Sequence, residues 1–119
     1  MLADHDLDNE KALQYAQRAY KGLPNNPSVL DTYGYVLLKN GKVKEADEFL
    51  QRAMQLYEQN KISAPIEIYE HMGGVKEKLG QVAEALRAYK QAMEFAGKDV
   101  SQEVKNRISQ AIERLSSQE

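Results

Sequence analysis

A chain of 119 residues, 42% of them apolar, has room for one compact domain with a modest core. Its 18 acidic and 16 basic residues leave a net charge of -2, too balanced to point to nucleic acid or to direct membrane contact. The absence of cysteine removes disulfides, thiolate nucleophiles and thiolate metal sites together.

The opening "MLADHDLDNE" carries neither the basic region nor the apolar stretch of a secretory leader, and no later apolar run reaches the roughly 18 residues of a membrane span. We expect a flexible terminus over residues 1–8. A helix over 9–22 then follows, with Asp8 as its cap and Ala12, Leu13, Ala16, Ala19 and Tyr20 at helical spacing. "GLPNNP" ends it, because Gly22 can terminate a helix while Pro24 and Pro27 oppose its continuation. The next helix runs from Ser28 to Lys39 with Leu30, Tyr33, Gly34 and Leu37 inward. Gly41 turns the chain within "KNGK", and a helix from Val43 to Gln59 carries Ala46, Leu50, Ala53, Met54 and Tyr57.

The text then repeats. "GKVKEA" from Gly41 returns as "GQVAEA" from Gly80, an offset of 39 residues, with Ala85, Tyr89 and Ala92 in the places of Ala46, Leu50 and Ala53. Tyr33-Gly34 corresponds to Met72-Gly73, each pair ahead of its turn glycine. Counting back 34 residues from Ala46, Leu50 and Ala53 reaches Ala12, Ala16 and Ala19. The order expected is the second half of a partial repeat over 9–22, full repeats over 28–59 and 66–97 separated by an addition at "EQNKISAP", and a terminal helix over 99–116. Asp99 is the expected cap of that helix, and Val100, Val104, Ile108, Ala111, Ile112 and Leu115 form its apolar face. This is an all-α chain of about six helices. Gly34 and Gly73 fit close helix crossings, Gly41 and Gly80 fit turns, and Leu50 and Tyr89 are expected to fill space between successive hairpins.

No stretch carries catalysis. Asp4, Asp6 and Asp8 follow the opening rhythm of a calcium loop, but Asn9 and Tyr15 stand where that loop needs glycine and glutamate. His5 and His71 lie in separate units without zinc-protease spacing, and "MGG" at Met72 lacks the residues of a phosphate loop. We therefore expect a non-enzyme without metal, cofactor or nucleic-acid partner.

Leu30, Tyr33-Gly34, Leu37, Ala46, Leu50 and Ala53, then Tyr69, Met72-Gly73, Ala85, Tyr89 and Ala92, with Pro24 closing the unit before, together resemble the tetratricopeptide repeat family. The wording is similar to the carboxy-terminal repeats of longer bacterial members. Departures are the addition between repeats, Lys76 in the place of Leu37, and Gly97 where a proline often closes a unit. The resemblance implies a short right-handed superhelix of stacked hairpins and a concave groove that receives a peptide or protein segment. Carried over position by position, the groove would hold Ser28, Asp31, Tyr35, Leu38 and Lys39 from one repeat. The next would add Glu67, Glu70, His71, Gly74, Glu77 and Lys78. Four carboxylates with Tyr35 and Leu38 favour basic or aromatic segments modestly. Asp31 and Tyr35 stand where a carboxylate clamp would place Lys and Asn. The alternative is a spacer or terminal cap of a longer array. Leu13, Tyr20 and the alanines of helix 9–22 are expected to meet upstream repeats or a second copy. The compartment is open between the cytoplasmic and periplasmic faces of a bacterial envelope.

Overall fold

The computed structural model describes residues 2–97 and 99–118, with side chains described from Asp8 onward. The fold is all-α, with six helices and no strand among the described residues. Two compact units meet in sequence at Ala64 and Pro65.

The first unit holds α1 (Leu2–Gly22), α2 (Pro27–Lys39) and α3 (Val43–Gln59). α1 extends further than expected, so Asp8 lies inside a helix rather than at its cap. Acidic residues near a helix start suit the macrodipole, which favours extension through "DHDLDNE". The side chains of Asp4, His5 and Asp6 lie outside the described ones, and with them the calcium-loop and His5 readings. α2 begins with Pro27 in its first turn, and Asn26 caps it by accepting from the Val29 N–H at 3.1 Å. It ends in a double bond pattern, Lys42 N–H to the Leu37 carbonyl (2.9 Å) and Gly41 N–H to that of Leu38 (3.1 Å). That closure needs a left-handed residue, which Gly41 supplies at φ 78°. α3 closes the same way at Lys61, φ 55°, with Ile62 N–H on the Tyr57 carbonyl at 2.9 Å.

α2 and α3 cross at Gly34. A β-carbon added there would lie 2.7 Å from Leu50 Cγ and 2.8 Å from its Cδ2. Leu50 thus fills the crossing of its own hairpin. α1 lies on α2, where Asn40 Nδ2 donates to the Asn9 carbonyl at 3.1 Å and to that of Val36 at 2.9 Å. Tyr20, Tyr33 and Phe49 form an aromatic cluster with ring centroids 4.6–5.3 Å apart. Tyr20 is therefore spent inside the unit rather than offered to an upstream repeat. Arg52 pins α3 to the α1–α2 connection by donating to Asn25 Oδ1 at 2.9 Å.

The second unit holds α4 (Ile66–Lys78), α5 (Val82–Glu94) and α6 (Gln102–Ser116). Gly80, φ 78°, repeats the closure of Gly41, with Gln81 N–H on the Lys76 carbonyl at 2.9 Å. At Gly73 an added β-carbon would lie 2.8–2.9 Å from three ring atoms of Tyr89. The crossing is therefore built as at Gly34, with a phenol in the place of a leucine. Lys76, which stands where the other hairpin has buried Leu37, reaches Glu84 at 3.5 Å. α6 is capped by Ser101, whose hydroxyl accepts from the Val104 N–H at 3.2 Å, so the cap is not Asp99. Its Ile108, Ala111 and Leu115 are buried with Ala85, Leu86, Tyr89 and Ala92 of α5.

Candidate protein-interaction faces

In the first unit, α2 turns Leu30, Tyr33, Gly34 and Leu37 inward, which leaves Ser28, Tyr35 and Lys39 outward at helical spacing. Tyr35 is 36% exposed beside buried Gly34, and the Lys39 ammonium lies 5.3 Å from its ring centroid. Leu38 is half-buried. Asp31 is only 9% exposed. Burial first, and then the Asp31 charge, raise the pKa of the Tyr57 hydroxyl.

In the second unit, α4 leaves Glu67 and Lys78 exposed, with His71 and Gly74 half-buried. Glu70 and Glu77 are both engaged by α6. Arg107 grips Glu70 with two nitrogens, Nη2 donating to Oε1 at 2.8 Å and Nε to Oε2. Arg114 grips Glu77 similarly, with Nη2 at 2.8 Å from both carboxylate oxygens and Nε at 3.2 Å from Oε2. The carboxylates are 15% and 28% exposed and the arginines 55% and 52%, so each fork presents its cationic member outward. The sequence reading missed this. Its signal is a matched interval: two glutamates seven residues apart on one helix and two arginines seven apart on another.

The Tyr89 hydroxyl donates to Glu77 Oε1 at 3.3 Å. Burial, then the Glu77 charge and this hydrogen bond, push the Tyr89 pKa well above its ordinary value. The folded protein therefore holds this proton more tightly than the unfolded chain. The associated stability is present below the ordinary phenol pKa of 10.0 and is lost as pH rises above it. We expect the thermal midpoint of the wild type to fall steeply above about pH 10, and that of Tyr89→Phe to fall less from its own neutral value. Equal alkaline slopes would show that this proton is not linked to folding.

Among the described residues no group of three His, Cys, Asp or Glu could hold a metal ion. No described helix is long and apolar enough to cross a membrane.

Paired antiparallel helices with a small residue at each crossing and a glycine at each return define a helical-hairpin repeat protein. The family profile described as Tetratricopeptide repeat matches residues 26–98, and the chain belongs to that family. It is 30% identical over 63 residues to the TPR repeat-containing protein PA4667 of Pseudomonas aeruginosa. That alignment covers 53% of this chain and 11% of the bacterial protein, so the chain spans about a tenth of that relative's length. The chain is accordingly a protein–protein interaction module of the general repeat kind, without a catalytic motif.

Proposed function

We propose that the outward residues of α2 receive a segment of a partner protein, with Tyr35 and Leu38 as the apolar contact and Ser28 and Lys39 at its edges. The supporting observation is Tyr35: an aromatic ring left 36% exposed next to the glycine that seals the hairpin. An aromatic or basic segment remains the preferred ligand class. Its aromatic part rests on Tyr35 and Leu38. Its basic part rests on a separate face of the second unit, where Glu67 of α4 is an exposed carboxylate while Glu70 and Glu77 hold arginines. Capture of native partners with the longest natural form of the protein tests this. Tyr35→Ala should reduce recovery of a partner of the α2 face and Glu67→Lys that of a partner of the α4 face, each with helicity unchanged, and unchanged recovery with Tyr35→Ala would remove the proposed surface. Glu70→Lys is a poorer probe, because it sets a lysine against Arg107. The second reading, a terminal cap of a longer array, is supported by the two forks that fasten α6 to α4.

A further inference from the structure

Among the described residues three aromatic side chains stand well out in solvent, Tyr15 at 66%, Tyr35 at 36% and Phe95 at 57% exposure. Two are covered by a cation of their own helix. Arg18 lies 5.9 Å from the Tyr15 ring centroid, and Lys39 lies 5.3 Å from that of Tyr35. No described cation covers Phe95. Its ring, at the residue that ends α5, leans on Tyr69 of α4 with centroids 5.3 Å apart and planes at 36°. Tyr69 in turn is half-buried on the core of the second unit, so one aromatic surface runs from that core out to solvent. The first hairpin does not share it: 39 residues earlier stand Leu30, fully buried, and Leu56, half-buried.

The charges that flank the two rings are acidic. Glu67 stands two residues before Tyr69, Glu94 directly before Phe95 and Asp99 in the connection to α6, all of them exposed. Among the described residues none of the three enters an ion pair or a side-chain hydrogen bond. Glu103 adds a carboxylate in the first turn of α6. The nearby bases are Lys90, half-buried Lys105 of α6, and Lys98, which lies outside the described residues. Lys90 is five residues before Phe95 and so about 140° around the helix from it. Whereas α4 and α6 carry Lys76, Lys78 and Arg114 in their last turns, α5 carries no basic residue there, where a cation would meet the negative end of the helix.

We infer that this corner of the second unit takes an arginine from a segment of a partner protein. Its guanidinium lies on the open face of Phe95, its N–H groups turn to Glu94 and Asp99, and its methylenes run along the aromatic pair. An acidic segment would be repelled by the unpaired carboxylates, and a purely apolar one would leave them without partners. The inference rests on the reading of the chain as a binder of protein segments, and it gives the basic part of that reading a place apart from Tyr35.

Two labelled peptides of alternating leucine and arginine serve as probes, identical except that one carries citrulline, the uncharged isostere, in place of arginine. Fluorescence anisotropy should show the arginine peptide binding, more weakly as salt is added. The citrulline peptide should bind at least about fivefold more weakly. Phe95→Leu removes the ring and keeps an apolar side chain, the one the first hairpin has at Leu56. It should weaken the arginine peptide by about two- to fivefold, the effect of one exposed cation–π contact, and leave the citrulline peptide unchanged. Joint Glu94→Gln and Asp99→Asn should narrow the preference between the peptides. All three altered positions are exposed, and circular dichroism checks that the variants keep their helices. Tyr35→Ala should leave both peptides unaffected. If partner recovery is indifferent to Tyr35→Ala while the arginine peptide still depends on Phe95, the α2 surface falls and this one stands. Absence of binding, equal binding of the two peptides, or indifference to Phe95→Leu overturns the inference. So does a concentration-dependent dimer in sedimentation that Phe95→Leu dissolves, which assigns the rings to a second copy.

Discussion

Leu50→Ala should destabilise the chain by about 2–5 kcal/mol, the range for removing a fully buried leucine. Gly34→Ala should also be destabilising even though alanine is the better helix former. The gain in propensity is about 1 kcal/mol. Against it stands a β-carbon 2.7 Å from Leu50 Cγ, an atom near the backbone that cannot swing aside as a side-chain tip can. Overpacking of this kind costs about 1–3 kcal/mol. The two residues occupy one space, so the double variant should cost less than the sum of the singles, with a coupling of about 0.5–3 kcal/mol. Urea unfolding midpoints at unchanged slope measure all four corners of the cycle. Strict additivity would mean that the crossing at Gly34 is not filled by Leu50.

The second large effect concerns how α6 is held. Ile108 and Leu115 are fully buried, and truncating either to alanine should cost about 2–5 kcal/mol. Arg107→Ala and Arg114→Ala should each cost about 1 kcal/mol or less, because their guanidinium groups are half-exposed and solvent screens them. Apolar burial thus holds the helix, and the forks set its register. Arginine variants as damaging as Ile108→Ala would reverse that assignment.

Much of the fold is legible in the sequence because its determinants are local. The 3.6-residue period places α2 to α5, and "KNGK" and "KLGQ" carry the left-handed glycines that end α2 and α4. The repeated small and large positions are visible as Gly34 and Gly73 and as Leu50 and Tyr89, since the two copies can be laid over each other. Their partner assignment is not, because periodicity tells which side of a helix is apolar and not which neighbour covers it. That is why Tyr20 was expected on an upstream face. Helix starts are ambiguous for a related reason. Asp8, Asp99 and Ser101 are all competent caps, and the backbone chooses only Ser101 among them. The candidate interaction surface was the least legible part. Glu70 and Glu77 read as open carboxylates until the rotation of α6 relative to α4 is known, and that rotation is set by Ile108, Ala111 and Leu115 meeting α5.

The phenol at the second crossing reaches beyond packing. Tyr89 fills the space over Gly73, hands its hydroxyl to Glu77, and Glu77 takes Arg114, so one chain of contacts runs through α5, α4 and α6. A leucine in that position, as in the first hairpin, has no hydroxyl to pass on. Amide hydrogen exchange should therefore show α4, α5 and α6 opening as a single cooperative unit, with the terminal helix protected nearly as long as the hairpin it closes.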